Sequence, residues 1–266
     1  MIAYLNGKFL NKLEIKISPF NEAFLYGKGF FETLRTLNSK PFRLDDHIKR
    51  LNNSLSFFGY KNVDPDEIKF AITELIRINQ LSSTIIRITV SKNILEEEQI
   101  LLINMEEYKP TFSEFVSVTI YPERQAHNNE LRKHKSTNYL LNKIAYQHAL
   151  SNGYDEALFV DNFDHLLEGS RTNVFMISQD TVYTPSLKCG LLPGITRQIV
   201  FEIAEELGIK YQEKVIHLSE LKQSDEIFLT NSINGIIKVK NIDEKYFDNF
   251  KITDKFRMIY EEMLKS

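Results

Sequence analysis

The stretch from His134 to Phe175, HKSTNYLLNKIAYQHALSNGYDEALFVDNFDHLLEGSRTNVF, constrains the fold most, because its hydrophobic period switches from helical to strand-like. Between Asn138 and about Asn152 the residues Leu141, Ile144, Ala145, His148 and Ala149 fall on one stripe, which predicts a helix. Gly153 follows, a residue able to take the left-handed conformation that closes a helix. Glu156 to Asp161 then predicts a strand, Asn162 to His165 a turn, and Asn173 to Ser178 a second strand. Lys135 stands just before the helix and Glu168 just beyond the hairpin turn. An amine and a carboxylate are thus both carried by ordered elements.

Length and charge set the frame. A chain of 266 residues suffices for one large domain or for two of about 130 residues each. With 33 basic and 36 acidic residues the net charge is −3, so no electrostatic footprint for nucleic acid is present. The one cysteine, Cys189, excludes an internal disulfide and a cysteine-based zinc cluster, and no metal site is expected. The start, MIAYLNGKFL, lacks the apolar core of a signal peptide, and no run is long enough to cross a membrane. A cytoplasmic protein without a membrane partner is the expectation.

Along the chain, Asn6-Gly7 signals a hairpin between Ile2–Leu5 and Lys8–Leu10. Phe30 to Leu37 predicts a strand entered through Tyr26-Gly-Lys-Gly, where the glycines suit a tight turn. From about Asp45 to Phe58 the residues Leu44, Ile48, Leu51, Leu55 and Phe58 form one buried helical stripe. Arg50 lies roughly 160° from the centre of that stripe, so it is either solvated or aimed at something beyond its own helix core. Asp64-Pro65 caps a second helix bearing Ile68, Ala71, Ile72, Leu75 and Ile76. Strands are expected at Thr84–Ser91, Gln99–Met105 and Phe115–Tyr121, around a polar connection at 92–98. Lys109-Pro110-Thr111 marks a boundary, giving domains at 1–108 and 114–266 with a linker at 109–113. Beyond Thr181–Pro185, the segment Cys189 to Arg197 leads into a helix ended by Gly208. Its approach leaves the N–H groups of Ile195 and Thr196 free for an anion, or else forms a plain turn with Thr196 as a local cap. Lys210–His217 and Glu226–Thr230 predict strands, and the latter ends in the polar cluster Thr230-Asn231-Ser232. A last helix is expected from about Thr253 to Leu264.

Six blocks in this order resemble the class IV aminotransferases, the fold-type IV enzymes that use pyridoxal 5′-phosphate. They are Ser18-Pro-Phe with Phe24 to Arg35, His47 to Leu51, Lys135 to Leu140, Glu168 to Phe175, Leu192 to Arg197, and Thr230 to Ser232. The resemblance implies a mixed α/β (α+β) chain with a smaller N-terminal and a larger C-terminal α/β domain, the cofactor in the cleft between them, and a homodimer whose loops complete each other's substrate sites. It implies Lys135 as the catalytic Schiff-base lysine that also shuttles the Cα proton. Glu168 resembles the partner of the pyridine nitrogen, which it keeps protonated so that the ring draws off electrons. Arg50 resembles the phosphate-binding arginine. Ile195 and Thr196 match the helix start that meets the phosphate, and Leu192 a residue packed on the ring. Ser232 matches a further phosphate or substrate hydroxyl, and Tyr139 a tyrosine bonded to the phenolic oxygen. Tyr26 and Phe31 match positions near the substrate, and Arg35, Arg87, Lys92 or Arg171 are available to meet its charge. For His47 and His134 the resemblance implies packing or orientation.

Three reactions of the family compete: transamination of branched-chain L-amino acids, transamination of D-amino acids, and elimination of pyruvate from 4-amino-4-deoxychorismate. The wording of Ser18-Pro-Phe, Tyr183 to Gly190 and Thr230-Asn-Ser232 is most similar to the aminodeoxychorismate lyases, which supply 4-aminobenzoate for folate. The glycine pair common after the lysine in branched-chain enzymes is replaced by Ser136-Thr137. The Arg-x-His clamp of the D-amino acid enzymes is replaced by Lys92-Asn93-Ile94. Glu96-Glu97-Glu98 in the same loop would repel a dianionic substrate if it faced one.

Overall fold

The structure, a computed structural model, describes residues 1–265. The chain divides into two compact units. The first comprises Met1–Lys109 and His134–Tyr139; the second comprises Pro110–Lys133 and Leu140 onward.

The first unit contains β1 (Ile2–Leu5), β2 (Lys8–Asn11), α1 (Glu22–Tyr26), β3 (Phe30–Leu37), β4 (Lys40–Pro41), α2 (Leu44–Phe57), α3 (Pro65–Asn79), β5 (Thr84–Lys92) and β6 (Gln99–Glu107). Its six strands run in the order β2-β1-β6-β5-β3-β4. Asn6 (φ 42°) and Gly7 (φ 83°) make the tight turn that joins β1 to β2, as Asn-Gly predicts. Helices α2 and α3 cover one face. Ile48, Leu51 and Leu55 of α2 and Ile68, Ala71, Ile72 and Leu75 of α3 pack with Phe30, Leu34, Ile86 and Ile88 of the sheet. Each such aliphatic side chain contributes about 1.5–3 kcal/mol by leaving water. Asp64 accepts from the N–H of Asp66 at 3.0 Å, and Pro65 opens α3, so the expected cap is present. The glycines after Tyr26 do more than turn the chain. Gly27 (φ 65°) closes α1, whose start Asn21 caps through the N–H of Ala23 at 2.9 Å. A side chain on Gly29 would come within 2.8 Å of Ala23 Cβ and 3.0 Å of Thr137 Oγ1.

The second unit contains β7 (Phe115–Ile120), α4 (Leu140–Ser151), β8 (Glu156–Val160), β9 (Leu166–Gly169), β10 (Asn173–Ser178), β11 (Thr181–Pro185), α5 (Ile195–Leu207), β12 (Tyr211–Lys214), α6 (Leu218–Gln223), β13 (Glu226–Asn231), β14 (Gly235–Ile242), β15 (Lys245–Tyr246) and α7 (Lys251–Lys265). Its nine-stranded sheet runs β12-β11-β10-β13-β14-β7-β8-β9, with β15 paired to β14. Strand β7 is parallel to both β8 and β14. One face is an aliphatic layer that includes Val116, Val118, Leu158, Val174, Leu229 and Val239. Phe175 stacks on Phe228 at 4.8 Å, and Phe256 of α7 approaches Phe228 at 6.0 Å. Among the described residues no helix is long and apolar enough to cross a membrane.

Several expectations need correction. Helix α4 starts at Leu140 rather than Asn138, and Ile144, expected on its inner stripe, is 44% exposed. The buried line is Ala145 and Ala149, which pack with Tyr121 and Phe159; small side chains let the helix lie close to its sheet. The strand expected over 210–217 is confined to Tyr211–Lys214. Strand β14 and the short helices α1 and α6 were not expected at all.

Candidate active site

Within the first unit, Lys135 is fixed by pairing to the start of β3, about a hundred residues earlier in the chain. The N–H of Phe31 donates to Lys135 O at 2.9 Å, and the N–H of Thr137 donates to Gly29 O at 2.8 Å. Thr137 Oγ1 also donates to Gly27 O at 2.8 Å. The close approach at Gly29 is thus what admits the lysine-bearing segment. Lys135 Nζ lies 4.5 Å from the Phe31 ring centroid and 5.6 Å from that of Tyr139. Phe31 and Tyr139 meet edge to face at 5.6 Å. Arg87 lies 3.8 Å from the Phe31 centroid. The pairing of Thr33 with Arg87 puts Arg87 on the Phe31 side of the sheet, opposite Phe30 and Leu34. Among the described residues Arg87 makes no hydrogen bond or ion pair. Burial pushes its guanidinium below the ordinary arginine value, with Tyr139 and Glu106 opposing. Arg35 donates to the Tyr108 hydroxyl at 2.9 Å and lies 4.9 Å over that ring. Tyr26 is 68% exposed on α1.

Arg50 is not on a solvated face. Its Nε donates to Glu32 Oε1 at 2.8 Å and its Nη2 to Glu32 Oε2 at 2.7 Å. His47 Nδ1 meets the same Oε2 at 2.7 Å. Glu32 is on the helix-covered face of β3, so α2 reaches it with His47 and Arg50 one turn apart. Burial alone would raise the Glu32 carboxyl, but the charge and hydrogen bonds of Arg50, with His47, bring it down to about 2. Burial also lowers His47, against the pull of Glu32. His134 packs its ring on Phe57 at 4.7 Å and meets Ser54 Oγ at 3.0 Å through Nδ1.

In the second unit, Glu168 is the next-to-last residue of β9, at 8% exposure. Its Oε2 accepts from the N–H of Leu192 at 3.1 Å and from Asn173 Nδ2 at 3.4 Å, and its Oε1 accepts from Arg132 Nη2 at 3.2 Å. Asn173 Nδ2 donates to Leu192 O at 3.0 Å as well. The turn after Glu168 is built on buried Glu156, whose Oε1 accepts from the N–H of Ser170 at 3.1 Å and from the Ser170 hydroxyl. Arg171 N–H donates to the other Glu156 oxygen at 3.2 Å. Helix α5 begins at Gly194 with no side-chain cap, so Thr196 does not serve as the local cap that one sequence reading allowed. A side chain on Gly194 would come within 2.0 Å of Asn173 Oδ1. Leu192 and Ile195 are half-buried and Thr196 is buried. Ser232 is half-buried in the turn between β13 and β14. That turn is formed by Asn231 Oδ1, which accepts from the N–H groups of Ile233 (3.0 Å) and Asn234 (2.7 Å). Arg171 stacks on Tyr146 at 3.7 Å and on Phe112 at 4.5 Å.

Each unit carries one feature that bears on kinship: in the first, a lysine segment bonded through its backbone to the strand of a Gly-Phe-Phe-Glu block, and in the second, a glutamate anchored on Leu192 N–H ahead of an uncapped helix. The sequence model of the class IV amino-transferases matches residues 29–242. The chain belongs to the class IV aminotransferase family. It is similar to the aminodeoxychorismate lyase of Bacillus subtilis, 29% identical over 281 residues covering 99% of this chain and 94% of that protein. It is also similar to the D-alanine aminotransferase of Bacillus licheniformis, 27% identical over 255 residues covering 91% of this chain and 89% of that one. The crystal structure of a branched-chain aminotransferase from Thermoproteus uzoniensis superposes with a TM-score of 0.94 at 28% identity, covering 100% of this chain and 95% of the other. The fold is therefore that of the fold-type IV enzymes, and the cofactor of the family is pyridoxal 5′-phosphate.

The donor set fits that cofactor group by group. A lysine amine suits its aldehyde, and the anchored, nearly buried Glu168 carboxylate suits a basic ring nitrogen. The uncapped start of α5, where any Cβ at Gly194 would collide with Asn173, suits a phosphate approaching the backbone. Glu32, Arg132, Asn173 and Glu156 were missed from sequence, although each lies inside or beside a quoted block.

Proposed function

We propose that this enzyme is a 4-amino-4-deoxychorismate lyase, releasing 4-aminobenzoate and pyruvate for folate synthesis. The cofactor, when bound, supplies an electron sink for the pair left as the substrate Cα–H bond breaks. Lys135 Nζ removes that proton and later returns one. Glu168 would hold the cofactor's ring nitrogen, and Leu192 N–H, Asn173 and Arg132 keep the carboxylate in place for that role. Arg50, Ser232 and the N–H groups of Ile195 and Thr196 would take the phosphate, with Glu32 holding the Arg50 guanidinium. Leu192 would support the ring, and Tyr139 would orient the phenolic oxygen.

The observation that carries the reading is the Phe31 ring with Lys135 Nζ at 4.5 Å and Arg87 at 3.8 Å. It joins a proton carrier to an unpaired cation that suits a substrate carboxylate. The lyase is preferred to a transaminase because the short blocks Ser18-Pro-Phe, Tyr183 to Gly190 and Thr230-Asn-Ser232 have lyase wording. The acidic loop at 96–98 is partly tied down: Glu96 accepts from Asn93 Nδ2 and Glu98 from Asn6 Nδ2, each at 3.0 Å. A branched-chain or D-amino-acid aminotransferase is the second reading, favoured because Arg87 is the one cation over Phe31 besides the Schiff-base lysine, where a dicarboxylate would use two.

A paired assay separates the readings. The purified protein is incubated with aminodeoxychorismate alone and, separately, with leucine or D-alanine plus 2-oxoglutarate. Formation of 4-aminobenzoate and pyruvate without an oxo-acid acceptor is expected, and Lys135→Ala abolishes it. Glutamate formation without the aromatic amine would overturn the lyase reading.

A further inference from the structure

The second unit gathers His127, Asp161 and His165, none of which has a part in the chemistry above. Asp161 follows β8 and is fully buried. Its N–H donates to His165 O at 2.9 Å, while its Oδ1 accepts from the N–H groups of Phe163 (2.8 Å) and His165 (2.9 Å). The turn therefore locks the carboxylate and leaves Oδ2 aimed at two imidazoles. His127 Nδ1 is 2.6 Å from Oδ2 and His165 Nδ1 is 3.0 Å from it. The three ligand atoms all lie within 4.8 Å of one another.

Each histidine is brought there by backbone structure. The N–H of Gln125 donates to Val160 O at 2.9 Å, so the segment leading to His127 lies along the end of β8. His165 is held by its bridge to His217 and by packing on Phe163 at 5.8 Å. The side chains of His127 and His165 remain 40% and 26% exposed, which gives an ion and its waters a way in.

Two imidazoles and one carboxylate are the donors of borderline first-row divalent ions, whereas calcium and magnesium take oxygen alone. Ligands of a tetrahedral ion with bonds of about 2.0 Å stand about 3.3 Å apart. The His127 and His165 contacts to Oδ2, at 2.6 and 3.0 Å, must widen by about 0.7 and 0.3 Å to reach that spacing. Burial raises the Asp161 carboxyl, but the His165 N–H, the His127 ring, the Phe163 N–H and the His165 ring more than offset it.

We propose that His127, Asp161 and His165 bind one divalent first-row transition cation of the zinc type, with water in its remaining positions. The ion clips the segment after β7 to the β8–β9 turn. That same segment runs on to Arg132, whose Nη2 holds Glu168 Oε1. The expectation of no metal site rested on cysteine number, which speaks only to thiolate sites.

The test uses the full-length, cofactor-loaded protein freed of metal by a chelator. Zn²⁺ is titrated by calorimetry, and Co²⁺ is followed by its ligand-field absorbance. One equivalent of either ion is expected, with Zn²⁺ displacing Co²⁺. His127→Gln and His165→Gln keep a hydrogen-bonding amide beside Asp161, so the turn stays intact. Each should weaken binding by about 100-fold or more, while His148→Gln leaves it unchanged. Absence of stoichiometric binding would overturn the proposal, as would binding that persists in the double variant. Neither readout depends on which reaction the enzyme catalyses.

Discussion

Arg87 is the residue on which substrate recognition turns in the proposed function. A guanidinium that is partly buried over an aromatic face, without an acidic partner among the described residues, has a desolvation cost that an incoming carboxylate would relieve. Removing a charge-assisted hydrogen bond costs about 1.5–3 kcal/mol, so Arg87→Ala should raise KM by roughly 10- to 100-fold. The absorbance of the bound cofactor should stay as in the parent protein, because Lys135 and Glu168 are untouched. Arg87→Lys should recover charge but not planar pairing, and so rescue only part of the loss. An unchanged KM in Arg87→Ala would remove it from the substrate site. Sequence marks this arginine only through the family resemblance. Strand periodicity assigns it to a face but cannot reveal the ring beneath it.

At the scale of elements, Glu32 ties β3 to α2. Its carboxyl sits at about 2 in the folded chain against 4.5 ordinarily, because Arg50 and His47 outweigh the cost of burial. A folded value below the unfolded one stabilises the protein above about pH 4.5, and that contribution is lost as pH falls towards 2. Glu32→Gln leaves the Arg50 charge buried against a neutral amide, a loss of about 3–5 kcal/mol at neutral pH. Urea melts of parent and variant should show that gap closing between pH 4.5 and pH 2, the window set by the two values. A gap that stays constant over that range would show that Glu32 is not the titrating group. The elements that carry the site were readable where a period or a cap marks them: α2, α3, α5, β3 and β10 lie within a residue or two of expectation. Strand β14 was not, because Lys238 and Lys240 interrupt its apolar run. Lys238 is in fact buried and paired with Glu114 at 3.0 Å and Asp254 at 2.6 Å. The ion triad at Glu32 was illegible for the same reason: a buried charge looks like a surface charge until its partner is placed.

At the scale of the whole molecule, exposed apolar side chains gather in two short segments. In the first unit Phe20, Phe24, Leu25 and Tyr26 are 51%, 75%, 43% and 68% exposed within one short segment. In the second, Leu140 and Ile144, one turn apart on α4, are 69% and 44% exposed. Such clusters are candidates for burial against another chain, since large apolar side chains gathered at a surface mark interaction sites. Together with the family resemblance they support a homodimer. Light scattering should then give twice the 31.1 kDa of the single chain. Phe24→Asp replaces a phenyl ring by a charge, and the lost burial of about 1.5–3 kcal/mol should weaken association by roughly 10- to 100-fold. Its circular dichroism should match the parent, because Phe24 has little to do with the core of its own unit. Activity measured against protein concentration should fall in the variant where dissociation begins. A parent protein that is monomeric at micromolar concentration yet fully active would exclude the dimer as the working form.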